Sequence, residues 1–141
     1  MNTKEQIKSY IATLPEAKQE EIKLLHKYIL GVMPKCKLWF LDGKNEKGKI
    51  VSNPNIGYGL QNIRYAGGKS NEFYQIGISA NTTGISVYIL CLSDKKYLAK
   101  RYSKKIGKAS VTGYCIKFKT IKDINIEILL EAIQDAVKAP K

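Results

Sequence analysis

Between Ile56 and Leu92, apolar and polar residues alternate with the period of a strand. Ile63, Tyr65, Tyr74, Ile76, Ile78, Ile85, Val87 and Ile89 fall on one face. Asn62, Arg64, Gln75, Gly77, Ser79, Ser86 and Tyr88 fall on the other. Successive side chains of a strand point to opposite faces, so the first set predicts a core face and the second an outward face. The strands predicted are about Tyr58–Tyr65, Phe73–Ser79 and Ile85–Leu92. Ala66-Gly67-Gly68-Lys69-Ser70-Asn71 and Asn81-Thr82-Thr83-Gly84 read as the turns between them.

On either side the period changes to that of a helix. Thr3 and Gln6 have capping-box spacing, and Ile7, Tyr10, Ile11 and Leu14 share one helical face. Pro15 ends that helix or starts the next. Glu16 to about Met33 predicts a second helix, with Ile22, Leu25, Tyr28, Ile29 and Val32 as its stripe and Pro34 as its stop. Leu38-Trp39-Phe40-Leu41 reads as a strand, followed by a polar loop and a candidate edge strand at Ile50-Val51. Ser93 or Asp94 caps a third helix running to about Ile106, with Leu98, Tyr102 and Ile106 spaced by four and Gly107 as its C′ residue. Tyr114–Thr120 alternates again, with Tyr114, Ile116 and Phe118 inward and Cys115, Lys117 and Lys119 outward. Asn125 to about Lys138 is the last helix, striped by Ile126, Leu129, Leu130, Ile133 and Val137. The order ααβ(β)βββαβα predicts an α+β fold, a mainly antiparallel sheet of about five strands packed with about four helices.

The chain has 141 residues, one domain's length. The helical part spans 1–33; the sheet and later helices span 38–141. No apolar run approaches the ~18 residues of a membrane span. Met1–Gln6 has no apolar segment of the secretory type, so the expectation is a cytoplasmic protein with no membrane partner. The cysteines, Cys36, Cys91 and Cys115, are odd in number and far apart, which predicts free thiols. Cys91 continues the core face, whereas Cys115 lies on the outward face and is the candidate accessible thiol.

The formal net charge is +12, and all but two of the 24 basic residues are lysine, the exceptions being Arg64 and Arg101. The lysines are scattered along the chain, which fits a solvated surface better than a dedicated polyanion site. Little in the sequence points to catalysis. The only histidine, His26, sits on the second helix without a second ligand at metal spacing. Gly57-Tyr58-Gly59 lacks the third glycine and following helix of a dinucleotide fingerprint. Gly67-Gly68-Lys69-Ser70 is followed by a strand, so it reads as a hairpin turn rather than a phosphate loop.

Asn55-Ile56-Gly57-Tyr58-Gly59, Arg64-Tyr65-Ala66-Gly67-Gly68, Gly77-Ile78-Ser79, Ile85-Ser86-Val87-Tyr88-Ile89, Gly107-Lys108 and Cys115-Ile116-Lys117-Phe118 follow one another in an order that resembles the YdhG-like domain-of-unknown-function family. The resemblance covers roughly Ile56 to Val137, and Trp39–Pro54 looks like an insertion. It implies a small α/β domain; one branch of the family has been proposed as frataxin-like iron chaperones. Clustered carboxylates would suit that role, because hard cations seek oxygen ligands. This chain has 12 acidic residues against 24 basic ones and no acidic ridge. It also has Gln61, Asn62 and Ile63 where some members carry aromatic and histidine residues.

The outward sheet face is the remaining candidate. Arg64, Lys117 and Lys119 supply cations; Tyr88, Ser86, Gln75 and Asn62 supply neutral groups; Lys108 borders them. A guanidinium grips a carboxylate or phosphate bidentately, which makes Arg64 the expected anchor, with Lys117 adding charge and Tyr88 orienting the ligand. The bland alternative is a solvated face with Arg64 paired to Glu72 across the hairpin. The expected function is a binding or accessory module rather than an enzyme, with no cofactor, taking a small anionic ligand or partner on Arg64, Tyr88, Lys117, Gln75 and Lys108. Single-stranded nucleic acid stacked on Tyr88 or Phe73, an iron chaperone, and a homodimer pairing through this face are the alternatives.

Overall fold

Asn2 starts the first helix, α1 (Thr3–Thr13), by accepting the Glu5 amide on its side chain at 2.9 Å, and it donates in turn to Glu5 Oε1 at 3.4 Å. The cap is therefore Asn2 with Glu5, one residue ahead of Thr3 and Gln6, because asparagine caps at least as well as threonine. Ile7, Tyr10, Ile11 and Leu14 are all buried, as their spacing predicts. The second helix, α2 (Glu16–Val32), buries Ile22, Leu25 and Ile29. Its stripe begins at Lys18 and runs by steps of four, three and four, which leaves Tyr28 on the edge and exposed. Lys18 is almost fully buried, and its ammonium donates to the Lys119 carbonyl at 2.6 Å and to Glu21 at 3.2 Å. The other oxygen of Glu21 accepts the Ile121 amide at 3.2 Å.

The computed structural model describes residues 2–64, 67–68, 70–81, 83–92 and 94–138, without the side chains of Ile63, Arg64 and Asn81. Its strands are β1 (Leu38–Leu41), β2 (Asn55–Tyr58), β3 (Gln61–Arg64), β4 (Ser70–Phe73), β5 (Ile76–Asn81) and β6 (Gly84–Ile89), then β7 (Ser110–Val111) and β8 (Cys115–Phe118) beyond a short helix, α3 (Tyr97–Tyr102). Six of them form one antiparallel sheet in the order β1-β2-β5-β6-β8-β7, and β3 pairs with β4 alone. The last helix is α4 (Ile126–Lys138), whose N-terminal amides at Glu127 and Ile128 are accepted by Asn125 Oδ1. Its buried stripe is Leu129, Ala132, Ile133 and Ala136, so the helix approaches closely on its alanines, with Ile126, Leu130 and Val137 at the flanks. Among the described residues no helix is long and apolar enough to cross a membrane.

The two expected strands 58–65 and 73–79 are real but broken. Tyr58 faces Ile76, and Gln61 faces Phe73, so the register runs on without a slip from the β2–β5 pair into the β3–β4 pair. The break falls where Gly59 adopts a φ of 88°, a conformation that L side chains avoid and that cannot continue a strand. The tip of the hairpin thereby leaves the main sheet as a separate ribbon. Ser70 and Asn71, read as turn residues, are in β4. The candidate edge strand at Ile50-Val51 reduces to a single bridge between Lys44 and Ile50, with both apolar side chains exposed. The third helix is shorter than expected, but Leu98, Tyr102 and Ile106 are all buried. Asp94 accepts the Lys96 amide at its start, and Ser93 lies outside the described residues.

One face of the sheet carries Ile56, Tyr58, Ile76, Ile78, Ile85, Val87, Ile89, Ile116 and Phe118, and all four α-helices pack into the same cluster. Two expected members are elsewhere. Tyr114 precedes β8 and is 57% exposed. Tyr74 is buried, yet it lies on the opposite face. Gly57 and Gly77 oppose each other there, and a β-carbon on either would stand 2.5 Å or 2.6 Å from the Tyr74 ring. The ring lies across the two glycines, stacked on Phe73 at 4.2 Å between centroids, with Trp39 edge-on to Phe73 at 6.0 Å. Tyr65 and the side chain of Ile63 lie outside the described residues.

Overpacking a filled site typically costs about 1–3 kcal/mol. Gly77→Ala is expected to destabilise the protein by that amount in denaturant unfolding, and the same change in a Tyr74→Ala background by much less. An equal cost in both backgrounds contradicts the stacking.

Candidate functional site

The face away from the helices is organised in rows by the register. Ser79 faces Ser86, Ser86 faces Lys117, and Lys117 faces Ser110, so three hydroxyls and an ammonium cross four strands in one line. The neighbouring row runs from Gly57 and Gly77 through Tyr88 to Cys115. Asn55 continues the first row on β2, next along the same register, and keeps a buried Oδ1 with no partner among the described residues. Ser79 is itself buried and donates to the Pro54 carbonyl at 2.8 Å, which leaves only its lone pairs for anything else.

A cleft of about 570 Å³ opens over the hydroxyl row. Lys108, Lys117 and Lys119 line it together with Ser86, Ser110 and Tyr88. No carboxylate lines it among the described residues, and none of the three lysines is in an ion pair there. The backbone positions of these lysines are fixed by the fold. Lys117 is centred on β8 between β6 and β7. Lys119 is tied through its carbonyl to the buried Lys18. Lys108 is fixed by its amide, which donates to the Asp123 carbonyl at 2.9 Å. Three like charges around one polar cleft repel one another, and an anion between them relieves that repulsion.

The five candidate residues are not all together. Tyr88, Lys108 and Lys117 share the cleft. Gln75 sits at the break of the hairpin, its amide donating to the Tyr58 carbonyl at 3.0 Å, and it lines a different depression with Cys36 and Gly59. The Arg64 backbone lies on the β3–β4 ribbon opposite Ser70, outside the six-stranded sheet, and its side chain lies outside the described residues. Glu72, the expected cross-strand partner, faces Asn62. The space over Gly77, on the outward face, is occupied by the Tyr74 ring. Ser110 was missed by sequence reasoning, since a two-residue strand is too short to show a period.

Cys115 is on the outward face, as expected, but buried, and burial pushes its thiol above the usual range against the weaker pull of Lys117. Cys91 is in the core, its Sγ 3.4 Å from the Ala136 carbonyl. Cys36 is the more accessible of the three. Compared with protein-family models, with curated proteins and with solved structures, the chain finds no match in any of the three.

Two measurements check this geometry. A thiol reagent under native conditions is expected to modify Cys36 first and to reach Cys91 and Cys115 only on unfolding; fast native modification of Cys115 contradicts the covered row. Burial, with Tyr88 second, pushes the Tyr74 phenol up to about 12 from an unfolded value of 10.0. A raised phenol stabilises the fold fully below the unfolded value and loses that contribution as pH climbs to the folded one. Stability is therefore expected to fall between about pH 10 and pH 12. Tyr58, Tyr97 and Tyr102 are raised too, so Tyr74→Phe is expected to flatten the fall in denaturant unfolding without removing it.

Proposed function

We propose that this protein is a cytoplasmic binding module, without catalytic activity of its own, that captures a small anionic ligand on the open face of its sheet. The observation that carries the reading is the convergence of Lys108, Lys117 and Lys119 on one hydroxyl-lined cleft without a carboxylate among its described lining residues. Lys117 takes the anchoring part, because it stands mid-row between Ser86 and Ser110. Lys108 and Lys119 close the charge around the ligand, and Tyr88 offers a hydroxyl beside it. Ammonium groups are point donors without the fork of a guanidinium, which suits a phosphate or a compact carboxylate cluster approached from several sides. Membership of the YdhG-like family is part of this reading and rests on the order of the motifs alone.

The test is a thermal-shift and calorimetric screen of small phosphorylated metabolites and of di- and tricarboxylates at constant ionic strength. A ligand present at 100 times its Kd stabilises the native state by roughly 2.7 kcal/mol. Lys117→Ala is expected to weaken the selected ligand roughly tenfold, as for loss of one charge-assisted hydrogen bond. Arg64→Ala is expected to have a smaller effect. Binding untouched by Lys117→Ala contradicts the proposal. So does an equal response to every polyanion, oligonucleotides included, with the steep salt dependence of phosphate-backbone binding.

A further inference from the structure

On the helical side of the sheet, α1 and α2, joined through Leu14 and Pro15, leave a groove of about 330 Å³ between them. Its apolar lining is Ile7 and Ile11 of α1, both nearly buried, with the exposed Ala12 beside them. Its rim is cationic: Lys4 and Lys8 from α1, Lys23 from α2. Gln19 and His26 of α2 complete it. From Lys4 to Ala12 the groove follows about 12 Å of helix at ~1.5 Å per residue. Small-molecule sites begin at roughly 300 Å³, so the groove suits a single short chain.

His26 gives the groove a defined polar group. Its Nδ1 lies 2.6 Å from the hydroxyl of Tyr58, which is fully buried. No other partner of that hydroxyl exists among the described residues, and a buried O–H left without an acceptor is costly. Tyr58 therefore donates to Nδ1, and the imidazole proton sits on Nε2. The tyrosine thus fixes the tautomer that leaves an N–H donor for the groove. Burial holds the imidazole below its usual range, so the ring is neutral at pH 7. Lys23 also pairs with Glu20 at 3.8 Å, but both side chains are largely exposed, and such a pair exchanges readily.

We propose that the α1–α2 groove is a second binding site, for a small amphipathic carboxylate such as a medium-chain fatty acid. The acyl chain lies along Ile7, Ile11 and Ala12, and the carboxylate accepts from His26 Nε2–H and the rim lysines. The site is independent of the cleft on the sheet face. It differs from it in chemistry: that cleft is hydroxyl-lined, and this one has an apolar lining.

His26 is the only histidine of the chain, so its ring resonances report on the groove without ambiguity. The test is an NMR titration of the His26 Cε1–H signal with octanoate, with octanol and inorganic phosphate as controls. Octanoate is expected to shift it saturably and to raise the pH at which it titrates. The groups that line the groove with His26 are Lys4 and Lys8 from α1 and Lys23 and Gln19 from its own helix; Tyr58 is its hydrogen-bond partner, and Cys36 is close enough to act on Tyr58. None of them is an anion, so a carboxylate arriving there favours the imidazolium. Lys8→Ala and Lys23→Ala are each expected to weaken octanoate by up to about fivefold, the scale of an exposed ion pair. Ala12→Glu, on an exposed helical position, puts a competing carboxylate in the groove and is expected to abolish binding with the fold intact by circular dichroism. Octanol matching octanoate, phosphate alone reproducing the shift, or an acidic helical peptide shifting His26 where octanoate does not would each overturn the proposal. So would a signal that octanoate leaves unmoved.

Discussion

All four α-helices pack on one side of the sheet, and that constraint governs what the other side must do. A six-stranded sheet has two faces, and antiparallel sheets commonly leave one of them to the solvent. Here the outer face is divided. Over β2 and β5 the chain covers it with its own aromatic residues: Tyr74 lies on Gly57 and Gly77, Phe73 stacks on Tyr74, and Trp39 donates to the Gly59 carbonyl at 2.7 Å. Over β6, β8 and β7 it stays open, polar and cationic. The paired glycines make the division possible, because no larger residue admits a ring so close to the backbone. The turn at Gly59 and the break at Tyr74-Gln75 then carry the hairpin tip away, so the covered half ends in a ribbon rather than in more sheet.

Much of this was legible from residue order. The core faces of β5 and β6, the stripe of α1, the last helix and the mainly antiparallel α+β class all follow from period and capping. What failed has physical causes. Tyr74 has the parity of a core residue, but the backbone break at Tyr74-Gln75 interrupts the alternation, and only the glycines opposite record which face receives the ring. The same break put Arg64 in line with Tyr88 on paper and on a different sheet in space. Cys115 shows the limit of face assignment: it has the parity of the outward face of β8 and stands opposite Tyr88, yet it is buried. For the candidate cleft, Tyr88, Lys117, Ser86 and Ser79 could be read from alternation. Ser110 and the approach of Lys108 depend on a two-residue strand and a loop, which carry no period.

On the proposed reading, the cationic cleft and the α1–α2 groove put to use a charge that composition alone assigned to solubility. Of the many lysines, three converge where the sheet offers hydroxyls, and three others rim an apolar groove. Lys18, by contrast, is structural: buried, it ties α2 to the end of β8 and so holds the strand that carries Lys117 and Lys119. The lysines of this basic surface thus stand in distinct settings, distinguished by what lies between the ammonium groups.

The most direct test of the divided face is chemical-shift mapping of the labelled protein during titration with inorganic pyrophosphate at fixed ionic strength. Perturbations confined to the amides of Ser86, Ser110, Lys117 and their neighbours, with those of Gly57, Gly77 and Tyr74 unmoved, are the result the account requires. Shifts centred on Gly57, Gly77 and Tyr74, or spread evenly over every lysine-bearing segment, would contradict it.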